Sequence, residues 1–394
     1  MKRRDLLKAG IILSPLILSG CGKKKKTYEG KIIKPKPPSP SNKYMFSMAM
    51  PFDFKYIDEI AALNEKYKKL KITYLYNNLP LPAYAYLEEY FQHIKGLGNP
   101  QIQSFDDFGK YVKYAQDKGF EFFYILNSPM ALPEKVWYKQ LDNLYDLLDK
   151  IHNLGCKNIK IANFQLLNII KNYKYDFDIS LSTCCEYRSL SQYKTLVEEF
   201  GDVKLINTAP DYNRDFVFLK NLRKLFPKTK IEILLNEGCV YDCPARSAHQ
   251  QTHFMRWNCD AYAEEVGYLD YFCRKNNVYP FDLGYFSAIG INDFKLSSVV
   301  PRDCFNKLSY NINYLDCVEN GIENLTVNNF FVDIFGYEEL RINEDIKLTE
   351  ILEYLPSMEH FSKYGNKCTA ICGVECNYCH ECAKALEKLK IFPC

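Results

Sequence analysis

The sequence predicts an α/β chain folded as a (β/α)8 TIM-like barrel with a short Cys-rich C-terminal extension. Short β-branched or aromatic runs recur eight times, and amphipathic stretches at helical spacing separate them. A chain of 394 residues with 47% apolar side chains can fill one large barrel-sized core. The candidate strands are Tyr44–Met50, Lys71–Tyr76, Glu121–Leu126, Asn158–Ala162, Phe177–Ser182, Val203–Asn207, Lys230–Leu235 and Asp293–Ser297. Between them Phe105–Lys118 carries Phe105, Phe108, Tyr111, Val112 and Ala115 on one helical face, and Pro133–Leu154 and Asp211–Phe226 behave alike. Ser104, followed by Asp106 and Asp107, predicts an N-cap with acids in the first turn. Gly119 and Gly155 sit where helix C-caps belong. An open doubly wound sheet is the alternative, but no Gly-rich phosphate fingerprint follows the first strand.

The flanks divide the chain further. Residues 1–21 combine a basic start (Lys2, Arg3, Arg4, Lys8) with an apolar run, Ile11–Leu18, that is too short to span a bilayer comfortably. Leu18-Ser19-Gly20-Cys21 resembles a bacterial lipobox, which implies lipidation at Cys21. Arg3-Arg4-Asp5-Leu6-Leu7-Lys8 resembles a twin-arginine signal, a route that carries folded, cofactor-loaded proteins. Together they predict a membrane-anchored lipoprotein of the cell envelope, facing outside the cytoplasm. Residues 22–42, rich in Lys and Pro, read as an extended tether. The barrel is expected over 43–335 and the Cys-rich segment over 336–394. With 51 basic and 48 acidic residues the net charge is only +3, so binding nucleic acid by bulk charge is excluded, and an exported chain has no nucleic acid to meet.

Sixteen cysteines are the most informative count. None lies between Cys21 and Cys156, and they then bunch over 239–317 and 368–394. In a barrel the chemistry sits on loops beyond the C-terminal ends of the strands. The loop after the seventh strand holds Glu237, Cys239, Cys243, Arg246, His249 and His253. Glu237, at the strand end, is placed to orient a substrate or act as a base. Arg246 suits bidentate holding of a carboxylate or phosphate. His249 and His253 share the spacing of metal ligands but lack the Glu of a zinc-protease HExxH motif. Glu237, Arg246 and His249 are therefore the candidate catalytic residues. Cys184-Cys185 at the fifth strand's end reads as part of the barrel-mouth wall.

Asn236-Glu237-Gly238-Cys239, with Cys243-Pro244, Arg246 and His249, resembles the U32 peptidase family, including its collagenase-like members. Asp293-Phe294-Lys295-Leu296 on the last strand is similar to a Phe-Lys strand of that family, although Ser297-Ser298 replace the Gly-Arg that usually follows. The resemblance spans roughly residues 44–335. It implies a barrel and, as in several members, a 4Fe–4S cluster on four cysteines. The cluster ligands expected here are Cys239, Cys243, Cys259 and Cys273, with Cys304 in reserve. Zinc, a disulfide or simple burial of free thiols remain open at the same positions.

Cys368, Cys372, Cys376, Cys379 and Cys382 crowd one short stretch of the C-terminal segment. This spacing predicts a second iron–sulfur cluster or a zinc site, with disulfides as the alternative. Ala383–Lys390 is expected to form a short closing helix. Three functions follow as expectations. The first is redox or hydroxylation-assisting chemistry on a small organic substrate, with an electron-transfer partner. The second is hydrolysis of a peptide, as the family label suggests, although neither GxSxG nor HExxH occurs. The third is a disulfide-stabilised binding lipoprotein without enzymatic activity.

Overall fold

The computed structural model describes residues 43–50, 52–77, 104–126, 134–236, 238–246, 257–297, 307–364 and 376–392. Eight parallel strands close on themselves in sequence order, β1 against β2 through to β8 against β1. They alternate with helices: β1 Tyr44–Ala49, α1 Phe54–Lys66, β2 Leu70–Asn77, α2 Phe105–Asp117, β3 Glu121–Leu126, α3 Glu134–Asn153, β4 Asn158–Ile161 and α4 Phe164–Lys171. The second half continues with β5 Asp178–Leu181, α5 Leu190–Phe200, β6 Leu205–Asn207, α6 Phe216–Leu225 and β7 Lys230–Leu234. The β7–β8 crossover is longer than the rest and holds α7 Trp257–Val266, α8 Tyr268–Arg274 and α9 Leu283–Ser287. After β8 Asp293–Lys295 come α10 Lys307–Asn320, α11 Leu348–Ile351, α12 Met358–Tyr364 and α13 Tyr378–Lys388.

All eight expected strands are present, with ends displaced by no more than two residues. Their apolar runs work because one face of each strand meets the helical shell while the other fills the barrel. Ile72, Ile159, Ile179, Ile231 and Ile233 belong to the outer core between strands and helices. Tyr74, Tyr76, Phe123, Ile125 and Leu205 form a separate cluster, the apolar part of the barrel interior. The helix punctuation also holds. Ser104 Oγ accepts the Asp107 backbone N–H at 3.1 Å, and Gly119 and Gly155 take φ values of +87° and +71°.

Two expected helices have other bounds. Asp211–Phe226 is not continuous: a turn over Pro210–Arg214 is followed by α6, whose N-cap is Asp215. Asp215 accepts the Phe218 N–H at 2.9 Å with its own backbone at φ −106° and ψ 80°, outside the helical range. The C-terminal helix begins at Tyr378 rather than Ala383.

The chain beyond α10 packs on the barrel through aromatic side chains. Phe272 of α8 is fully buried, with ring centroids of Phe331 at 4.8 Å, Tyr337 at 5.1 Å and Phe335 at 5.5 Å. Polar contacts fix the next stretch. Tyr378 Oη accepts the Ser357 N–H at 3.1 Å, and Tyr285 donates to Glu359 at 2.8 Å. Asp282 accepts the Met358 N–H at 3.3 Å, and burial pushes its carboxyl up to about 8.

Two outcomes are expected. Phe272→Ala should cost about 3–5 kcal/mol in denaturant unfolding, because five aromatic neighbours lose their partner at once. A carboxyl whose folded pKa lies above its unfolded value contributes stability that is complete below the unfolded value and lost as pH rises through the folded one. The Asp282 contribution should therefore fade between 3.8 and about 8, and unfolding midpoints of Asp282→Asn should fall less steeply across that window.

Candidate active site

The barrel interior changes character toward the C-terminal ends of the strands. Ser47 of β1, Lys160 of β4, Asn207 of β6, Glu232 of β7 and Lys295 of β8 are all buried there. Glu232, 1% exposed, is the hub. Its Oε1 accepts from Ser47 Oγ at 2.6 Å, and its Oε2 accepts from Lys160 Nζ at 2.8 Å and from Asn207 Nδ2. Lys160 Nζ also donates to Asn207 Oδ1 at 3.1 Å. Burial pushes the Glu232 carboxyl up, but the Lys160 and Lys295 charges and the hydrogen bonds outweigh it and hold the carboxyl below its ordinary value. Lys295 Nζ stands 4.4 Å from the Tyr76 ring centroid, and Lys160 Nζ 5.1 Å from that of Phe123. Two ammonium groups thus face one carboxylate in a water-poor space at the end of the barrel where barrel enzymes place their chemistry.

The opposite end is built differently. Lys204 Nζ joins Glu121 at 2.8 Å and Asn158 at 2.6 Å, and Lys230 Nζ bonds the Tyr74 hydroxyl. These groups close the N-terminal end of the barrel, where polar contacts serve stability rather than reaction.

Beyond β7 the loop 238–246 is pinned to the barrel. Arg246, 1% exposed, donates Nη1 to Asp211 Oδ2 and Nη2 to Asp211 Oδ1, both at 2.7 Å, and Nη2 again to the Val240 carbonyl at 2.9 Å. Asp242 N–H and Asn276 Nδ2 each donate to Asp211 Oδ1 at 3.0 Å. Burial pushes the Asp211 carboxyl up, but the Arg246 fork and these donors overcome it and hold the group low. The Arg246 fork, expected to hold a substrate carboxylate, is therefore filled by Asp211 of the same chain. Its role in this structure is to set the loop.

The four cysteines expected to share one cluster separate into two groups. The loop pairs with the end of α8, as Val240 bridges Lys275 antiparallel and Asn276 N–H donates to the Cys239 carbonyl at 3.2 Å. This sets Cys239 and Cys243 near Tyr271, whose hydroxyl also hydrogen-bonds the Cys259 thiol. Burial, then Cys259, then Cys239 and Cys243 push the phenol up. Cys273 does not join them. It is fully buried on another face of α8, and after burial its strongest charged neighbours are Cys382 and Cys379. Among the described residues, no three Cys, His, Asp or Glu side chains stand close enough to hold one metal ion. Cys185 follows β5 as expected of a mouth wall, its Sγ 3.4 Å from the Ile161 carbonyl. Glu237, His249, His253, Cys304, Cys368, Cys372 and the lipobox Cys21 lie outside the described residues.

Sequence reasoning passed over Lys160, Asn207 and Glu232. A signal was present: Ile159-Lys160-Ile161 and Ile231-Glu232-Ile233 each set a charge between β-branched neighbours, at the inward position of a strand.

No family model matches the chain. In an alignment of 381 positions that covers 88% of this chain, it is 23% identical to the whole of a protein from Methanocaldococcus jannaschii named as an uncharacterized protease. That name agrees with the resemblance to U32 peptidases carried by the loop. Among solved structures, a U32 peptidase aligns over 68% of this chain and 96% of its own, at 12% identity and a TM-score of 0.41. A spore coat polysaccharide biosynthesis protein of Bacillus subtilis aligns over 78% and 77%, at 10% identity and a TM-score of 0.37. At these scores neither structure speaks to this chain's chemistry.

Removing one partner of the Lys160–Glu232 pair strands the other charge in the barrel. Lys160→Met should cost about 3–5 kcal/mol in unfolding experiments, and Lys160→Met with Glu232→Leu should recover part of that loss.

Proposed function

We propose that this chain is a U32-like barrel enzyme that hydrolyses an amide bond of a peptide or small organic substrate at the C-terminal mouth of the barrel. The observation that carries the reading is the Lys160–Glu232–Lys295 cluster buried inside the barrel, on strands that run into the loops at its C-terminal end. Every oxygen of Glu232 is already engaged, so it acts as the anchor that sets the ammonium groups and not as a base. Lys295 is the group that would meet negative charge forming on a substrate carbonyl oxygen. The name of the archaeal relative, a protease, supports the same class of reaction.

A second reading has its own observation. Cys239, Cys243 and Cys259 gather around the Tyr271 hydroxyl. Their donor type suits an iron–sulfur centre, which supplies electron transfer when bound. The fourth donor expected, Cys273, faces elsewhere. As placed, these three thiols do not converge on one point, so the redox reading, with its electron-transfer partner, requires a rearrangement of the loop that brings them together. The leader over 1–21 supports an exported lipoprotein held to a membrane through Cys21. Among the described residues, no helix is long and apolar enough to cross a membrane.

Two measurements on the full chain, purified anaerobically, separate the readings. Turnover of a peptide-amide panel that falls about 100-fold in kcat/KM for Lys295→Met, measured well below its unfolding midpoint and with native circular dichroism, supports hydrolysis. About four iron and four acid-labile sulfide per chain, lost in Cys239→Ala, with no amide turnover, moves the function to the second reading. Absence of both overturns the two together and leaves a binding protein.

A further inference from the structure

The sulfurs on the far side of α8 take no part in the proposed function. Arg214, 1% exposed on the Pro210–Arg214 turn, donates Nη1 to Cys379 Sγ at 3.2 Å. Its Nη2 donates to the carbonyls of Cys273, at 3.3 Å, and Lys275. Phe361 lies 5.2 Å beneath the guanidinium carbon. Cys379 is partly exposed in the first turn of α13, while Cys382, three residues on, is buried. Cys273 is buried against the same pair.

This arrangement suits a metal ion poorly. A buried guanidinium already contacts the Cys379 sulfur, so a metal cation there would face a like charge in a medium of low dielectric. The same contact favours a sulfur that carries negative charge itself, as at reactive cysteines elsewhere. Residues three apart on a helix are neighbours, so Cys382 stands within bonding reach of Cys379 after a modest side-chain rotation.

We infer that Cys379 and Cys382 form a redox-active dithiol that exchanges with small-molecule disulfides, with Arg214 as the positioning residue. The Cys379 thiolate attacks one sulfur of the substrate disulfide. That S–S bond breaks, a mixed disulfide forms, and the first substrate thiolate leaves and takes up a proton released by Cys382. The Cys382 sulfur then attacks Cys379 Sγ, the protein disulfide closes, and the second substrate thiolate leaves. Two electrons pass from the dithiol to the substrate disulfide, and an excess of the small thiol reverses both steps. The inference is independent of the reaction at the barrel mouth.

The experiment equilibrates the full chain with glutathione buffers of varied ratio, quenches with acid and maps thiols by alkylation and peptide mass. The expected result is a Cys379–Cys382 disulfide that forms and reopens with the buffer. In Cys382→Ser a glutathione adduct should accumulate on Cys379, whereas in Cys379→Ser none should form on Cys382. In the wild type, Cys379 should alkylate about tenfold faster than Cys376 of the same segment, a comparison that needs no variant to fold. Arg214→Lys, which keeps the charge but loses the fork, should slow adduct formation while leaving far-ultraviolet circular dichroism unchanged. No adduct on Cys379 in folded Cys382→Ser would overturn the inference. So would zinc or iron that protects Cys379 from alkylation until a chelator is added.

Discussion

The constraint on which the barrel depends is the neutralisation of Glu232. A carboxylate taken out of water in the middle of a closed sheet is costly unless its charge and lone pairs are met. Here they are met by groups from three other strands: Ser47 of β1, Lys160 of β4 and Asn207 of β6. The Asn207 bond joins register partners on neighbouring strands, whereas the Ser47 and Lys160 bonds reach past the nearest neighbour into the barrel interior. Through Lys160 the distant strands β4 and β7 are held by a polar contact, where other barrels rely on interdigitated branched side chains. The ammonium groups that neutralise Glu232 are thereby preorganised in a dry space, the feature on which the proposed hydrolysis rests.

Two buried arginines repeat this logic outside the barrel. Arg246 spends its fork on Asp211 and so fixes the loop after β7. Arg214 spends its donors on two carbonyls and a sulfur and so holds α13 against the α8 end. Both depend on the same short stretch, Pro210–Arg214, which supplies Asp211 to Arg246 and carries Arg214 three residues later. The break between that turn and α6, enforced by the Asp215 cap, is what frees these two side chains to face the β7–β8 crossover.

What the sequence disclosed follows from local physics. Strands were legible because β-branched and aromatic runs such as Asn158–Ile161 have few other ways to pack. Caps at Ser104, Gly119 and Gly155 were legible because they satisfy backbone groups within a few residues. The Lys160–Glu232 pair was not, since its members are 72 positions apart and only barrel closure joins them. The cysteines failed for the same reason. Cys259 and Cys273 look equivalent on the page, yet Tyr271 and Cys273, two positions apart on one helix, face different neighbours. Spacing reports which thiols are near in the chain, and helix rotation decides which are near in space.

The seven residues of α8 consequently form a partition between two groups of thiols. Tyr271 faces Cys259 and the thiols of the β7 loop, Cys273 faces those of α13, and Phe272 between them is seated in an aromatic socket. A rotation of this helix cannot reach one compartment without registering in the other. The two sulfur groups share no ligand, yet they share an axle.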